Sequence, residues 1–496
     1  MKFKLTYSIL LLLSSFSALA QSQLKVFKKP EWNIISSTDS RYGSTLQLSN
    51  NNVAMIVNAP KVDFAVVTID GNLNQKWITS FEGFPMAIGK FKDKILVVAA
   101  TDHSYFKSFT NTFVGYLLDE TTGKLVSKKI IYDGSVDFIE EPRFYFAEDG
   151  SYFKMSVRLT AMKKKVRIGL PIIGAYTALK VEKDYSTTVD FNFIDFDNQL
   201  NASQKTNPFM PDGQTWNSMC GDDGSFIIMT KDSKLGKINV ATYISGKREP
   251  LKTVSVPVDF YKNTNGGEIK FAGSKAPLVN YFSMMYKNLE KDICLLVAKI
   301  DFKTGTYLIQ KEVMDKDHIR DLQKSFVPVN KKFNDLDFRD ANFLDVTSIK
   351  EYNNQLLVSV VPFTQYTQNG APVFALAESV LLNMYDLQLK PQYHQFLPRT
   401  YKSKTGEGSE IAFNQKNDVL RMIANKTGID VIYAEMDMKT GKMIRLNEVP
   451  KDGIKGSYYA NTETLWWQDL SFTIPFAERR GLFSDKIDVQ FLQLSY

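Results

Sequence analysis

Histidine and cysteine are almost missing from this chain, with three of the first and two of the second in 496 residues. His103, His318 and His394 stand far apart without metal-ligand spacing, and neither His-Glu-x-x-His nor a paired Cys-x-x-Cys occurs. A Gly-x-Ser-x-Gly nucleophile elbow and a Gly-rich phosphate loop are also lacking. The enzyme classes defined by those motifs are therefore not indicated. Dense basic charge is scarce: the formal net charge of +7 is spread along the chain, and only Lys163-Lys164-Lys165 with Arg167 forms a cluster. Nucleic acid is not an expected partner, because it demands a clustered basic footprint. Long apolar runs are lacking beyond the N-terminus. The most apolar candidate, 168–179, is too short to span a bilayer and holds Gly169, Pro171 and Gly174. Cys220 and Cys294 fit either one disulfide in an oxidising compartment or two buried thiols.

The N-terminus is the part that is rich in apolar residues. Lys2 and Lys4 precede an apolar stretch over 7–13 broken only by Ser8, and the segment ends at Ala18-Leu19-Ala20. Small residues at both alanine positions suit signal peptidase, and the apolar core is short for a permanent anchor. No cysteine follows the cleavage point, so a lipoprotein anchor is not expected; a retained interfacial anchor is the competing reading. The expectation is a signal peptide over 1–20 and an exported domain over 21–496, periplasmic, outer-membrane-associated or extracellular.

Internal repetition carries the fold. A strand, an acidic turn and a second strand recur as FAVVTIDG (64–71) with QKWI (75–78), and as VGYLLD (114–119) with TGKL (122–125). They recur again as LLVAKID (295–301) with Thr304-Gly305, and as VIYAEMD (431–437) with TGK (440–442). Weaker copies lie at 191–202, 240–251 and 381–393. A second hairpin precedes each copy: YFAEDGSYF (145–153) and MCGDDGSF (219–226) are near-duplicates. Other units turn at Asn50-Asn51-Asn52, Lys92-Asp93-Lys94, Asn353-Asn354 and Lys416-Asn417-Asp418. Such residues tolerate the positive φ of tight hairpins. The strands after these turns, such as ILVVAA (95–100) and LLVSVV (356–361), are apolar apart from Ser359 and read as buried on both faces.

Two hairpins per unit make a four-stranded antiparallel sheet, and units recur at propeller-blade spacing. The fold class is all-β, a β-propeller of eight blades beginning near Tyr42, Phe84, Asp137, Pro211, Gly267, Phe338, Ser409 and Gly456. Seven blades follow if the Gly267 unit is irregular. Two packed β-sandwiches fit less well, because the repeat does not pause midway. The last unit stops after its third strand at 486–494, and an unassigned strand-like segment lies at 23–28. The expectation is that the N-terminal strand completes the last blade, closing the ring and covering an exposed sheet edge.

The acidic turn followed by Thr-Gly-Lys resembles the repeat of quinoprotein-type propellers, including the outer-membrane assembly lipoproteins built from them. The resemblance covers three turns, Asp119 to Lys124, Asp301 to Gly305 and Asp437 to Lys442. The tryptophan such repeats carry after the turn occurs once, as Trp77, and no quinone-binding pattern carries over. No cofactor and no metal are expected.

Alternating strand direction puts hairpin turns on one face and the remaining connections on the other. The long insertions, 101–112, 161–186, 313–337 and 362–378, all fall in the second group, and long loops in a compact fold are often functional. They carry Tyr105, Phe106 and Phe109; Lys163, Lys164, Arg167, Leu170, Ile172, Ile173 and Tyr176; and Phe363, Tyr366 and Phe374. Aromatic and apolar side chains on loops anchor interfaces; the alternative is that these loops only cover the blades. Residues 314–324 read as a short amphipathic helix. Glu140-Glu141 reads as a blade junction, Asp222-Asp223-Gly224 as a hairpin turn, and Trp466-Trp467 as core, since neighbours on a strand point to opposite faces. The functional expectation is a non-enzymatic binding or scaffold protein, sharpest as a plug-like soluble subunit of an outer-membrane secretion or assembly complex. Its expected partner is a protein, an outer-membrane barrel or secretion subunit. The alternatives are a secreted carbohydrate-active or peptide-cleaving propeller enzyme, whose paired acids sequence cannot reveal, and a propeller assembly of identical chains with no separate ligand.

Overall fold

The computed structural model describes residues 25–495 apart from internal stretches, the longest being 35–44, 102–111 and 166–181. Residues 1–20, read from the sequence as a signal peptide, lie outside the described residues. Eight antiparallel sheets follow one another along the chain, so the count is eight and not seven. With strands lettered A to D from the centre outward, blade one is Thr45–Gln47, Val53–Asn58, Phe64–Ile69 and Gln75–Phe81, with Asn33–Ile34 added beside its B strand. Blade two is Phe84–Phe91, Lys94–Ala100, Thr112–Asp119 and Leu125–Asp133. The third blade comprises Phe138–Phe146, Phe153–Lys165, Glu182–Phe196 and Ala202–Thr206, and the fourth Gln214–Cys220, Phe226–Asp232, Lys237–Tyr243 and Lys252–Pro257. Blade five, the unit of doubtful regularity, is a regular sheet of Lys270–Gly273, Val279–Lys287, Ile293–Asp301 and Thr306–Val313. Blade six is Leu344–Tyr352, Gln355–Gln368, Val380–Asp386 and Pro391–Leu397, and blade seven Ile411–Lys416, Val419–Asn425, Val431–Asp437 and Met443–Glu448. In blade eight, Ser457–Tyr458 and Leu465–Trp466 form the inner position, followed by Phe472–Arg479 and Ile487–Leu494.

The outer strand of blade eight is Lys25–Lys29, from the other end of the chain. It runs antiparallel to Ile487–Leu494 with Lys25 opposite Gln493 and Lys29 opposite Val489. The ring is therefore closed by strand pairing, as the repeat predicts. At the same junction the Gln493 side-chain amide donates to the Gly71 carbonyl of blade one at 2.6 Å.

The hydrophobic core is eight wedges, one between each pair of adjacent blades. Ile95, Val97 and Ala99 pack toward blade one with Phe64, Val66 and Tyr116. Their neighbours Leu96, Val98 and Ala100 pack toward blade three with Phe153, Met155 and Val157. Alternate residues of one strand thus serve two wedges, which is why these strands read as unbroken apolar runs. The wedge between blades eight and one holds Met55, Val67, Leu465, Trp467 and Phe491.

The recurring aspartate organises each C–D turn. Asp70 Oδ1 accepts the backbone N–H groups of Asn72 and Asn74, both at 2.9 Å, and Asp197 and Asp386 repeat this geometry. Those three turns place Leu73, Leu200 and Leu389 at positive φ. In the Thr-Gly turns, Asp119, Asp301 and Asp437 cap the N–H of the following threonine, and glycine takes the positive-φ position. The preceding blade then grips the turn: Trp77 Nε1 donates to Glu120 O, Thr79 Oγ1 to Gly123 O, Lys299 Nζ to Leu387 O, and the Tyr393 hydroxyl to Met438 O.

A second belt runs through the A–B turns nearer the centre. Lys92 Nζ donates to Ser151 O at 2.5 Å, the Tyr152 hydroxyl to Gly221 O at 2.9 Å, and Asn353 Nδ2 to Asn417 O at 2.7 Å. Lys416 donates to Gln468 O, and the Gln468 N–H to Asn51 Oδ1 at 3.4 Å, which carries the belt back to blade one.

Two predictions follow from the turns. Gly123 has φ +69° and an added Cβ would lie 2.3 Å from the Trp77 ring, so Gly123→Ala should lower stability by about 2–3 kcal/mol in urea unfolding. Gly71→Ala, whose Cβ would meet nothing closer than 3.8 Å, serves as the near-neutral control. Thr122 holds the Asp119 carboxyl below its ordinary 3.8, Asn201 does so for Asp197 and Thr440 for Asp437. A carboxyl depressed by folding stabilises the native state above its unfolded pKa, and that contribution is lost as pH falls through the folded value. The denaturation midpoint should therefore drop between about pH 5 and about pH 2, and Asp437→Asn should show a smaller drop over the same range.

Candidate functional site

The long connections leave the B–C and D–A ends of their blades, so they emerge on the face opposite the hairpin turns. Blade six carries the most built-up part of that face. Its B strand runs on past the sheet and turns back as Ala371–Ala377, with Tyr366 opposite Phe374, and Tyr401–Ser403 from the next connection adds a third strand. The connection from blade five contributes the helix Lys316–Lys324 and a 3-10 turn, Lys331–Phe333. The helix agrees with the amphipathic reading: Asp315 caps it by accepting the His318 N–H at 2.7 Å, and Ile319 and Leu322 are buried.

This cap is fastened by buried aromatic and polar groups. Phe333 is buried with Tyr352, Leu397 and Tyr401, and Phe363 is half-buried against the same group. Lys426 of blade seven sits 4.7 Å from the Phe333 ring centroid and pairs with Glu448 at 2.6 Å. Below the cap, the Ser379 N–H donates to Asp337 O at 2.8 Å, Thr400 Oγ1 donates to Asp337 Oδ2 at 2.9 Å, and Arg399 Nε donates to Glu378 O at 3.1 Å. Three separate connections are thereby tied into one unit.

Of the residues predicted for the interface, Phe363 is the one whose side chain is placed, and it packs into the blade core. The backbones of Tyr366 and Phe374 are paired in the extended hairpin. Those of Lys163 and Lys164 lie in the lengthened B–C hairpin of blade three, opposite Asp184 and Lys183. Tyr105, Phe106, Phe109, Arg167, Leu170, Ile172, Ile173 and Tyr176 lie outside the described residues, as does His103.

The other residues singled out by sequence have structural roles. Trp467 packs between blades eight and one and donates from Nε1 to Thr473 Oγ1 at 2.8 Å, whereas Trp466 faces blade seven under the Arg421 guanidinium. Asp223 accepts the Ser225 N–H at 2.9 Å within its hairpin turn. The cysteines are both free. Burial pushes the Cys220 thiol up to about 12 and raises that of Cys294, so neither is a ready nucleophile. No group of three or more His, Cys, Asp and Glu among the described residues could hold a metal ion.

Two polar arrangements were not anticipated. On the inner strands, Arg143 donates to Asn217 Oδ1 and to Ser218 O, and Asn217 Nδ2 donates to Ile269 O at 3.3 Å, linking blades three, four and five. Burial raises the Tyr145 phenol beside them, and its hydroxyl lies 3.0 Å from Ser156 Oγ. Between blades three and four, Lys154 pairs with Asp195 at 2.7 Å and donates to Gly224 O at 2.5 Å. The available signal was Arg143 and Lys154 standing among apolar and aromatic neighbours, RFYF (143–146) and FKM (153–155).

No protein-family model and no curated relative matches the chain. Solved structures similar to it are propellers and related chains at low identity. The WD40 domain of SCAP from fission yeast is 11% identical, covering 95% of this chain and 98% of that one, with a TM-score of 0.40. BamB from Moraxella catarrhalis is 9% identical over 93% and 99%, with a TM-score of 0.37. The Nup133 β-propeller domain of Vanderwaltozyma polyspora is 10% identical over 83% and 100%, with a TM-score of 0.41. The class defined by the strand pairing is the eight-bladed β-propeller. No helix among the described residues is long and apolar enough to cross a membrane.

Truncating the aromatic that fastens the cap tests its role. Phe333→Ala should cost about 3 kcal/mol, and hydrogen exchange should show the loss of protection concentrated in blade six and the connections above it.

Proposed function

We propose that this chain is an exported, non-enzymatic binding or scaffold propeller of the periplasm or outer-membrane surface. Its sharpest form is a soluble, plug-like subunit of an outer-membrane protein secretion or assembly complex. The observation that carries the reading is the concentration of insertions on one face, where three connections build an ordered cap on blade six. A flat array of turns would suffice for a propeller that served only as a spacer. Apolar and aromatic side chains on such a face suit a protein partner, since a few desolvated aromatics supply most of an interface's energy. The aromatic segment 105–109 of blade two and the lysine- and isoleucine-bearing segment 163–176 of blade three are further proposed contacts, in addition to the cap.

Affinity purification of the full chain from solubilised cell envelopes tests this. Co-recovery of an outer-membrane barrel or secretion subunit is expected. Replacing Tyr105, Phe106 and Phe109 together with alanine should lower that recovery by tenfold or more while leaving the melting temperature unchanged. Recovery of the chain alone from intact envelopes would overturn the proposal.

A further inference from the structure

The helix Lys316–Lys324 is held by an unusual pair of contacts. With nine residues it is too short to be stable alone, and Ile319 and Leu322 are its buried side chains. His318 on the helix lies 2.5 Å, Nε2 to Oε1, from Glu312 on the outer strand of blade five. His394, on the outer strand of blade six, lies 2.5 Å from Ser325 Oγ at the helix C-terminus. That hydroxyl donates to the Leu322 carbonyl at 2.6 Å. Two of the chain's three histidines, 76 positions apart in sequence, therefore meet at the two ends of one short helix.

We propose that this helix is an acid-released latch, clamped between blades five and six while the His394 imidazole is neutral and freed when that ring becomes charged. The charged groups around it explain why. Arg320 pairs with Asp317 at 2.7 Å and Lys324 with Asp321 at 2.8 Å. Asp315 is engaged as the N-cap, and Lys311 is engaged with Asp259 at 2.6 Å. Tyr385, from blade six, is a buried phenol that stays neutral. Glu312, the remaining carboxylate, is engaged by the His318 ring at 2.5 Å. A positive charge on His394 would therefore sit half-buried with no free carboxylate as partner, its ring centroid 6.4 Å from that of Phe396.

Burial lowers the His394 pKa from its ordinary 6.5 and the charge of His318 adds to that, while Glu312 and the Leu322 carbonyl oppose it. A histidine depressed by folding favours the latched state fully above pH 6.5, and that contribution is lost as pH falls through the depressed value. Releasing the helix restores water to both rings at the cost of exposing two apolar side chains.

Hydrogen exchange of the segment 314–326 at about pH 7.5 and about pH 5, corrected for intrinsic rate and compared with blade-one strands, tests the latch. Protection should fall several-fold in acid relative to blade one, and His394→Phe should keep that ratio flat. An unchanged ratio in the natural protein, or the same fall in His394→Phe, would overturn the proposal. An NMR titration of the His394 ring in the natural protein gives a check that does not depend on a variant. A midpoint below 6.5 is expected, and one at or above 6.5 refutes the latch.

Discussion

Burial of each sheet on both of its faces is the constraint on which this structure depends. A blade has no core of its own; its apolar side chains are covered because a neighbour stands on either side. The wedges between blades two and three, and between blades seven and eight, are the same solution applied at different places in the ring. Such packing has no natural stopping point, so it ends only when the last blade covers the first. Met55 and Val67 of blade one are dry because Leu465, Trp467 and Phe491 of blade eight reach them. Closure is therefore a condition for burial throughout, and the borrowed outer strand Lys25–Lys29 supplies it.

The polar groups reinforce this arrangement in a directional way. Lys92, Lys154, Lys299 and Lys416 each reach from one blade to a turn carbonyl in the next. A backbone carbonyl accepts a charged donor well, and a lysine stem can lie along an apolar wedge while its head finds that acceptor. Part of the basic excess in the composition is thus spent on contacts between neighbouring blades.

Much of the architecture was legible because its causes are local. Asp-x-x-Thr-Gly turns and Asp-Gly hairpins encode their own geometry, and unbroken runs such as ILVVAA (95–100) announce double-sided burial. Blade five looked irregular because its inner strand, Lys270–Gly273, has four residues and a turn without the usual Asn or Asp-Gly signature. The cap on blade six was legible only as length and as one short amphipathic helix. That Phe363 turns into the core, or that Tyr401–Ser403 pairs with a hairpin from an earlier connection, depends on contacts distant in sequence. The inner-strand network of Arg143 and Asn217, and the meeting of His318 and His394 around one helix, were invisible for the same reason.

The pairing that seals the ring also fixes how the molecule bears load. Lys25 lies opposite Gln493, so the outward-leading ends of the two terminal strands sit side by side at the same end of the pair. Tension applied through those ends separates the strands rung by rung, as in a zipper, and does not shear all rungs at once. A ring held together by shared burial is thereby opened one rung at a time when its two chain ends are pulled apart.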